Sequence, residues 1–166
     1  MRLSMFAAVF AIVLAPISAS SSSAAQAGCQ QSPVQDLLPE VVGPMMGADP
    51  AWLVSDLPQR WAGADAPVKT LWVVRRTDQP LRITGQRVDG PGVARLRRGS
   101  AEPADALDVP NAAQHSVRPG GATRDLMSAY AFLSSHVFYP SPGCWRFDVR
   151  VGDQIAYIVR EVTHRQ

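Results

Sequence analysis

Two cysteines, Cys29 and Cys144, are the residues of this chain with the most reactive side chains, and each is the other's one possible intramolecular partner. Two thiols can pair, take a metal or act as nucleophiles. In an exported chain pairing is the first expectation. A Cys29–Cys144 bond would close a long loop, for which the chain-entropy model gives about 5 kcal/mol. A lipid anchor on Cys29 is the competing expectation, because Ala27-Gly28-Cys29 looks like the end of a bacterial lipobox. That motif wants an aliphatic residue where Gln26 stands.

The histidines are His115, His136 and His164, and none has a second His, Cys or carboxylate at the short spacings of zinc sites. Met45-Met46 and Met127 bring thioethers that would suit copper. A blue-copper pattern fails, since no His or Met follows Cys144 closely. Serine catalysis lacks a Gly-x-Ser-x-Gly elbow, and Ser134-Ser135-His136 would put neighbours on opposite faces of a strand. Glu102, Asp105 and Asp108 lie in a Pro-containing stretch with nothing to raise a carboxyl pKa, which reads as a solvated face. Arg118-Pro119-Gly120-Gly121-Ala122-Thr123 lacks the spacing and lysine of a phosphate-cradling loop. No metal, cofactor or catalytic residue is expected on these grounds. The alternative of a different class is a small envelope enzyme or metal-binding chaperone using His115, His136 or Met127.

The arginines are the better candidates. Between Lys69 and Arg98 stand Lys69, Arg75, Arg76, Arg82, Arg87, Arg95, Arg97 and Arg98, against only Asp78 and Asp89. Arg82, Arg87, Arg95, Arg97 and Arg98 are expected to share one sheet face or edge and to offer paired donors to sulfate, phosphate or carboxylate. An anionic glycan, a lipid head group or another envelope protein would be the partner. The bland alternative is an edge strand kept charged against sheet-to-sheet pairing. The whole chain carries a net charge of only +2, so no global field draws it to nucleic acid.

These residues need a frame. Arg2 precedes an apolar run from Met5 to Ile17, too short to span a bilayer and suited to a signal peptide. Ala25-Gln26-Ala27 satisfies the small-x-small cleavage rule, so 1–27 is read as a leader; a cut after Ala19 is the alternative. Export to the periplasm or beyond follows, with no membrane span left after cleavage. What remains, 28–166, is one domain's worth of chain.

Residues 28–66 are rich in Pro and Gly and are expected to form an irregular segment wrapping a β-sandwich domain over 67–166. Trp52, Leu57 and Trp61 would anchor the wrap by packing; exposed tryptophans would equally suit a sugar. Lys69–Arg76 and Pro80–Val88 read as strands, the second alternating apolar with polar, and their short connection suggests antiparallel neighbours. Residues 93–98 read as an edge strand. Residues 99–124 read as a long loop or two short strand pieces. A short helix at Arg124–Leu133 competes with a strand over 127–139, and the strand is preferred. The clearest element is a carboxy-terminal hairpin. Trp145, Phe147, Val149 and Val151 alternate with Cys144, Arg146, Asp148 and Arg150, Gly152-Asp153 turns, and Gln154–Val162 returns. With Trp145 in the core, Cys144 faces the other way, free to receive Cys29. Six or seven short strands without a long helix point to an all-β sandwich.

Pro142-Gly143-Cys144-Trp145, an early Cys29, Leu71-Trp72-Val73-Val74-Arg75 and the run Leu81 to Asp89 with its Thr-Gly-x-Arg-x-Asp end together resemble a family of uncharacterised exported bacterial domains. The resemblance covers most of 28–166 and implies an immunoglobulin-like antiparallel sandwich. The corner Pro140-x-x-Gly143-x-Trp145 is also similar to the turn into the sixth strand of such folds. The chain departs from the family in carrying Arg146-Phe147-Asp148 where Glu-Ile-Thr is frequent.

Overall fold

A computed structural model describes residues 28–57, 59–75 and 78–164. The expected leader, its cleavage site and Arg76 lie outside the described residues. The described chain is predominantly β. Its strands are β1 (Val34–Gln35), β2 (Met45–Ala48), β3 (Ala51–Val54), β4 (Arg60–Trp61), β5 (Val68–Arg75), β6 (Leu81–Arg87), β7 (Val93–Arg97), β8 (Ala106–Val109), β9 (Tyr130–Phe138), β10 (Gly143–Val151) and β11 (Gln154–His164). Two short helices, α1 (Pro39–Val42) and α2 (Arg124–Ala129), interrupt them.

The strands run β1-β2-β3-β5-β9-β7-β6-β10-β11-β4 across one curled sheet, with β8 on β6. Every pairing is antiparallel except β4 on β11, which is parallel, so the sheet is mixed. The curl brings β11 back against β2 and β3. There Ser32 stitches the turn, its N–H donating to the Val159 carbonyl at 2.8 Å and its Oγ accepting from the Val159 N–H at 2.9 Å.

The interior holds side chains from both halves of the curl, including Leu53, Trp72 and Val74 from one and Ile83, Trp145, Phe147, Val149 and Ile158 from the other. Trp72 and Phe147 meet edge to face across it, centroids 5.2 Å apart. Each such side chain, fully buried, contributes about 1.5–3 kcal/mol. Trp72 Nε1 is satisfied by Ser135 Oγ at 2.8 Å, which lets an indole sit at zero exposure. A second apolar cluster covers the outer face of β3, β5 and β9: Met45, Trp52, Val54, Val73 and Phe132, beneath α1, Leu57 and α2. The unbroken apolar run Leu71-Trp72-Val73-Val74 is thereby explained, since β5 is buried on both faces.

Several expectations are corrected. Residues 28–66, read as irregular, supply β1 to β4, and β3 sits inside the sheet between β2 and β5. Pro50 lies in a turn and Pro39 opens α1, so neither interrupts a strand. Asp49-Pro50 is the two-residue link between Ala48 and Ala51, leaving two four-residue runs free to pair. Trp52 and Leu57 pack in the outer cluster and Trp61 packs on the interior one. β5 and β6 are not neighbours: β5 pairs β3 and β9, whereas β6 pairs β7, β8 and β10. The short connection between them crosses from one half of the curl to the other. β7 is not an edge, because β6 and β9 flank it. At 124–138 both readings have a share, a helix capped by Thr123 Oγ1 from the Leu126 N–H and then β9. The hairpin of β10 and β11 is as expected, with Val151 opposite Gln154 around Gly152-Asp153.

Candidate functional site

β7, β9 and β5 are consecutive in the sheet, and their registers align a row of basic side chains. Arg97 lies opposite His136, and His136 lies opposite Lys69. One step along, Arg95 lies opposite Phe138. Period two puts all of these on the outer face, since their neighbours Ala94, Leu96, Ser135 and Val137 are buried on the inner side. Phe138 is the floor: the Arg97 guanidinium lies 5.2 Å from its ring centroid and that of Arg95 5.9 Å. An aromatic face at that distance attracts a cation and holds the guanidinium flat.

The row is poorly neutralised. Arg95 reaches Asp65 at 3.4 Å, but the Asp65 side chain is 98% exposed, and an ion pair of that kind contributes about 0–1 kcal/mol. Arg97 Nε and His136 Nδ1 are buried and have no hydrogen-bond partner among the described residues. Such a group costs about 1–3 kcal/mol until something pairs with it. A cleft of about 710 Å³ opens beside them, lined by Arg98, Gly99, Ser100, Ala101, Val117, Ser134 and His136. Arg98 is oriented there by donating from Nη2 to the His115 carbonyl at 2.9 Å. Arginines over an aromatic floor, a lysine and unpaired ring and guanidinium nitrogens beside an open cleft can receive an oxyanion.

Of the five arginines expected to share a face, Arg95, Arg97 and Arg98 come together and Arg82 and Arg87 do not. Arg82 and Arg87 stand an odd number of positions apart on β6, so they leave opposite sides of the strand. Arg82 is outside, with Nη1 at 2.9 Å from both oxygens of Asp108, and is opposite Arg150. Arg87 is half-buried at the strand end and serves a different purpose. Its Nε donates to Asp89 at 2.6 Å and its Nη1 to Ser141 Oγ at 3.0 Å. Hydrogen bonding by Arg87, aided by the Cys144 backbone N–H, holds the Asp89 carboxyl below the usual carboxylate range.

Arg87 thus joins the two motifs on which the resemblance rested. The Val88 N–H donates to the Cys144 carbonyl at 2.8 Å, and Trp145 Nε1 donates to the Ser141 carbonyl at 3.3 Å. Gly143, at φ 141°, has no room for a Cβ, which would fall 2.6 Å from Arg87 Nε. Cys144 is buried on the side of β10 away from Trp145 and is disulfide-bonded to Cys29. The corner is a structural clamp.

Lys69, His136 and Phe138 were missed as members of a common site. In the sequence Lys69 belongs only to the basic excess, and His136 stands out only as a metal-ligand candidate. The register that aligns three strands distant in sequence is what unites them. Among the described residues no three His, Cys, Asp or Glu side chains converge as a metal site of those ligands would require. No described helix is long and apolar enough to cross a membrane.

No protein-family model matches this chain, and no curated protein matches its sequence. Among solved structures it is similar to a crystal structure described as a "Putative Lipoprotein" from Bacillus anthracis. The two are 15% identical with a TM-score of 0.49, and the match covers 90% of this chain and 97% of that one.

Proposed function

We propose that this chain is an exported, non-catalytic protein of the bacterial cell envelope that binds an anionic glycan or lipid head group through the row Lys69, His136 and Arg97, with Arg95 and Arg98 beside it. One observation carries the reading: Arg97 Nε and His136 Nδ1, on residues directly opposite each other in the register, are buried and without a hydrogen-bond partner among the described residues. An oxyanion seated over Phe138 would satisfy both and balance charge that Asp65 leaves largely open. The disulfide supports the exported assignment, because such bonds persist in oxidising compartments. The two facing halves of the curled sheet and the Pro140-to-Trp145 corner support an immunoglobulin-like sandwich as the parent architecture.

The test is sedimentation of the exported chain with vesicles of phosphatidylglycerol or of phosphatidylcholine, and retention on an immobilised sulfated polysaccharide, across a salt series. The expected result is retention on at least one anionic surface, weakening with salt, and at least tenfold weaker in a Lys69→Ser/Arg97→Ser double variant. Retention unchanged in that variant would overturn the assignment. Vesicle binding alone would identify the lipid source, and polysaccharide binding alone the glycan.

A further inference from the structure

On the inner side of the sheet, beside Tyr139 and so across the strand end from Phe138, a second cation is in a more demanding place. Arg160 belongs to β11, and its parity with Ile158 and Val162 turns it toward the interior. It lies opposite Trp145 in the β10–β11 register and is only 6% exposed. Its Nε and Nη1 are buried and find no partner among the described residues. The polar side chains of Tyr139, Gln59 and Trp61 are engaged with other partners. The fully buried Tyr139 hydroxyl donates to Gln59 Oε1 at 3.0 Å, and Trp61 Nε1 donates to the Tyr139 carbonyl at 2.9 Å. Burial pulls the guanidinium below its usual range and pushes the Tyr139 phenol up, so Tyr139 is neutral and offers no countercharge.

A buried guanidinium without an anion is among the costliest arrangements a small domain can keep, several kcal/mol before relaxation. An apolar side chain at 160 would pack against Trp145 and Tyr139 with no such cost. β4 is the last strand of the sheet and pairs it at Thr163 opposite Arg60 and His164 opposite Trp61, so moving the Gln59–Trp61 segment aside for a small ligand would cost its hydrogen bonds to Tyr139 but would leave the main sheet intact.

We propose that Arg160 is the anchor of a second binding site, separate from the basic row, that takes the carboxylate of a small molecule or of a chain terminus. One buried positive charge is matched by one negative charge. A planar carboxylate can accept from two guanidinium N–H groups, whereas a phosphate dianion would bring excess charge and a larger desolvation cost. The aromatic walls suit an apolar group next to that carboxylate, so benzoate is the appropriate probe beside acetate.

The experiment follows the Arg160 Nε–H resonance in 15N-labelled protein titrated with sodium acetate, sodium benzoate or sodium phosphate, ionic strength held constant with chloride. Thermal unfolding is run in parallel. A saturable shift of that resonance with acetate or benzoate is expected, with a carboxylate-dependent rise in Tm. Both should persist in Lys69→Ser/Arg97→Ser, and the Tm rise should vanish in Arg160→Met. An unmoved resonance, a shift with phosphate alone, or a Tm rise retained in Arg160→Met and lost in Lys69→Ser/Arg97→Ser would each overturn the site. The resonance decides the matter in the unmutated protein even where Arg160→Met fails to fold.

Discussion

Reducing the Cys29–Cys144 bond is the most informative perturbation of stability. The bond spans a sequence separation of 115. With that loop length, the chain-entropy relation gives a loss of about 16 cal/mol/K in the unfolded ensemble, or about 5 kcal/mol at 25 °C. At about 2 cal/mol/K of unfolding entropy per residue, this is a fall in Tm on the order of 15 °C for a domain of this size. The folded state should change little. Ser32 still exchanges two hydrogen bonds with Val159, and β1 still pairs β2, so the segment after Cys29 is held without the sulfur link. The assay is thermal and urea unfolding with and without reductant, alongside a thiol count and a Cys29→Ala/Cys144→Ala variant. Reduced protein should release two thiols, keep its far-UV spectrum and unfold at markedly lower temperature. A drop under about 3 °C with both thiols freed would refute the entropic reasoning, as would a reduced form that has lost its β spectrum at 20 °C.

Gly85→Ala should destabilise by about 1–3 kcal/mol, because the new Cβ would fall 2.6 Å from the Phe147 ring and 3.0 Å from the Ala94 Cβ; urea midpoints measure it, and a neutral result would mean that Phe147 can move off its contact with Trp72. The Asp89 carboxyl is held below its ordinary value of 3.8, so its contribution is full above that pH and is lost as pH falls through the lower folded value. Asp89→Asn should therefore flatten the acid limb of a stability-against-pH curve below about pH 4 and leave the curve near pH 7 parallel to the parent's.

Much of the architecture was legible because it is written in short-range pattern. Trp145, Phe147, Val149 and Val151 at period two, followed by Gly152-Asp153, leave little choice but a hairpin with an apolar inner face. The same parity put Cys144 outside, where Cys29 meets it. Residues 45–54 look irregular in the sequence because Gly47 and Pro50 break the strand pattern, whereas Asp49-Pro50 forms the turn between two pairing runs and Gly47 lies within the first of them. The strand over 93–97 was misplaced at an edge because its arginines resemble edge protection, and nothing local tells which strands will flank it.

The amino-acid sequence by itself determined the β periodicity, many of the turn positions, the one intramolecular pairing open to its two cysteines and the surplus of positive charge between Lys69 and Arg98. Only the tertiary structure decided which of those charges act together. Side-chain direction along one strand follows from counting by two, so Arg82 and Arg87 were separable in principle. The alignment of Arg97, His136 and Lys69 depends on the registers of β7 with β9 and β9 with β5, which are set by how the two apolar clusters fill. The unpaired state of Arg160 has the same origin. A strand pattern ending in alternating apolar and charged residues does not announce a buried cation; the curl of the sheet, closing β11 over Tyr139 and Trp145, puts it there.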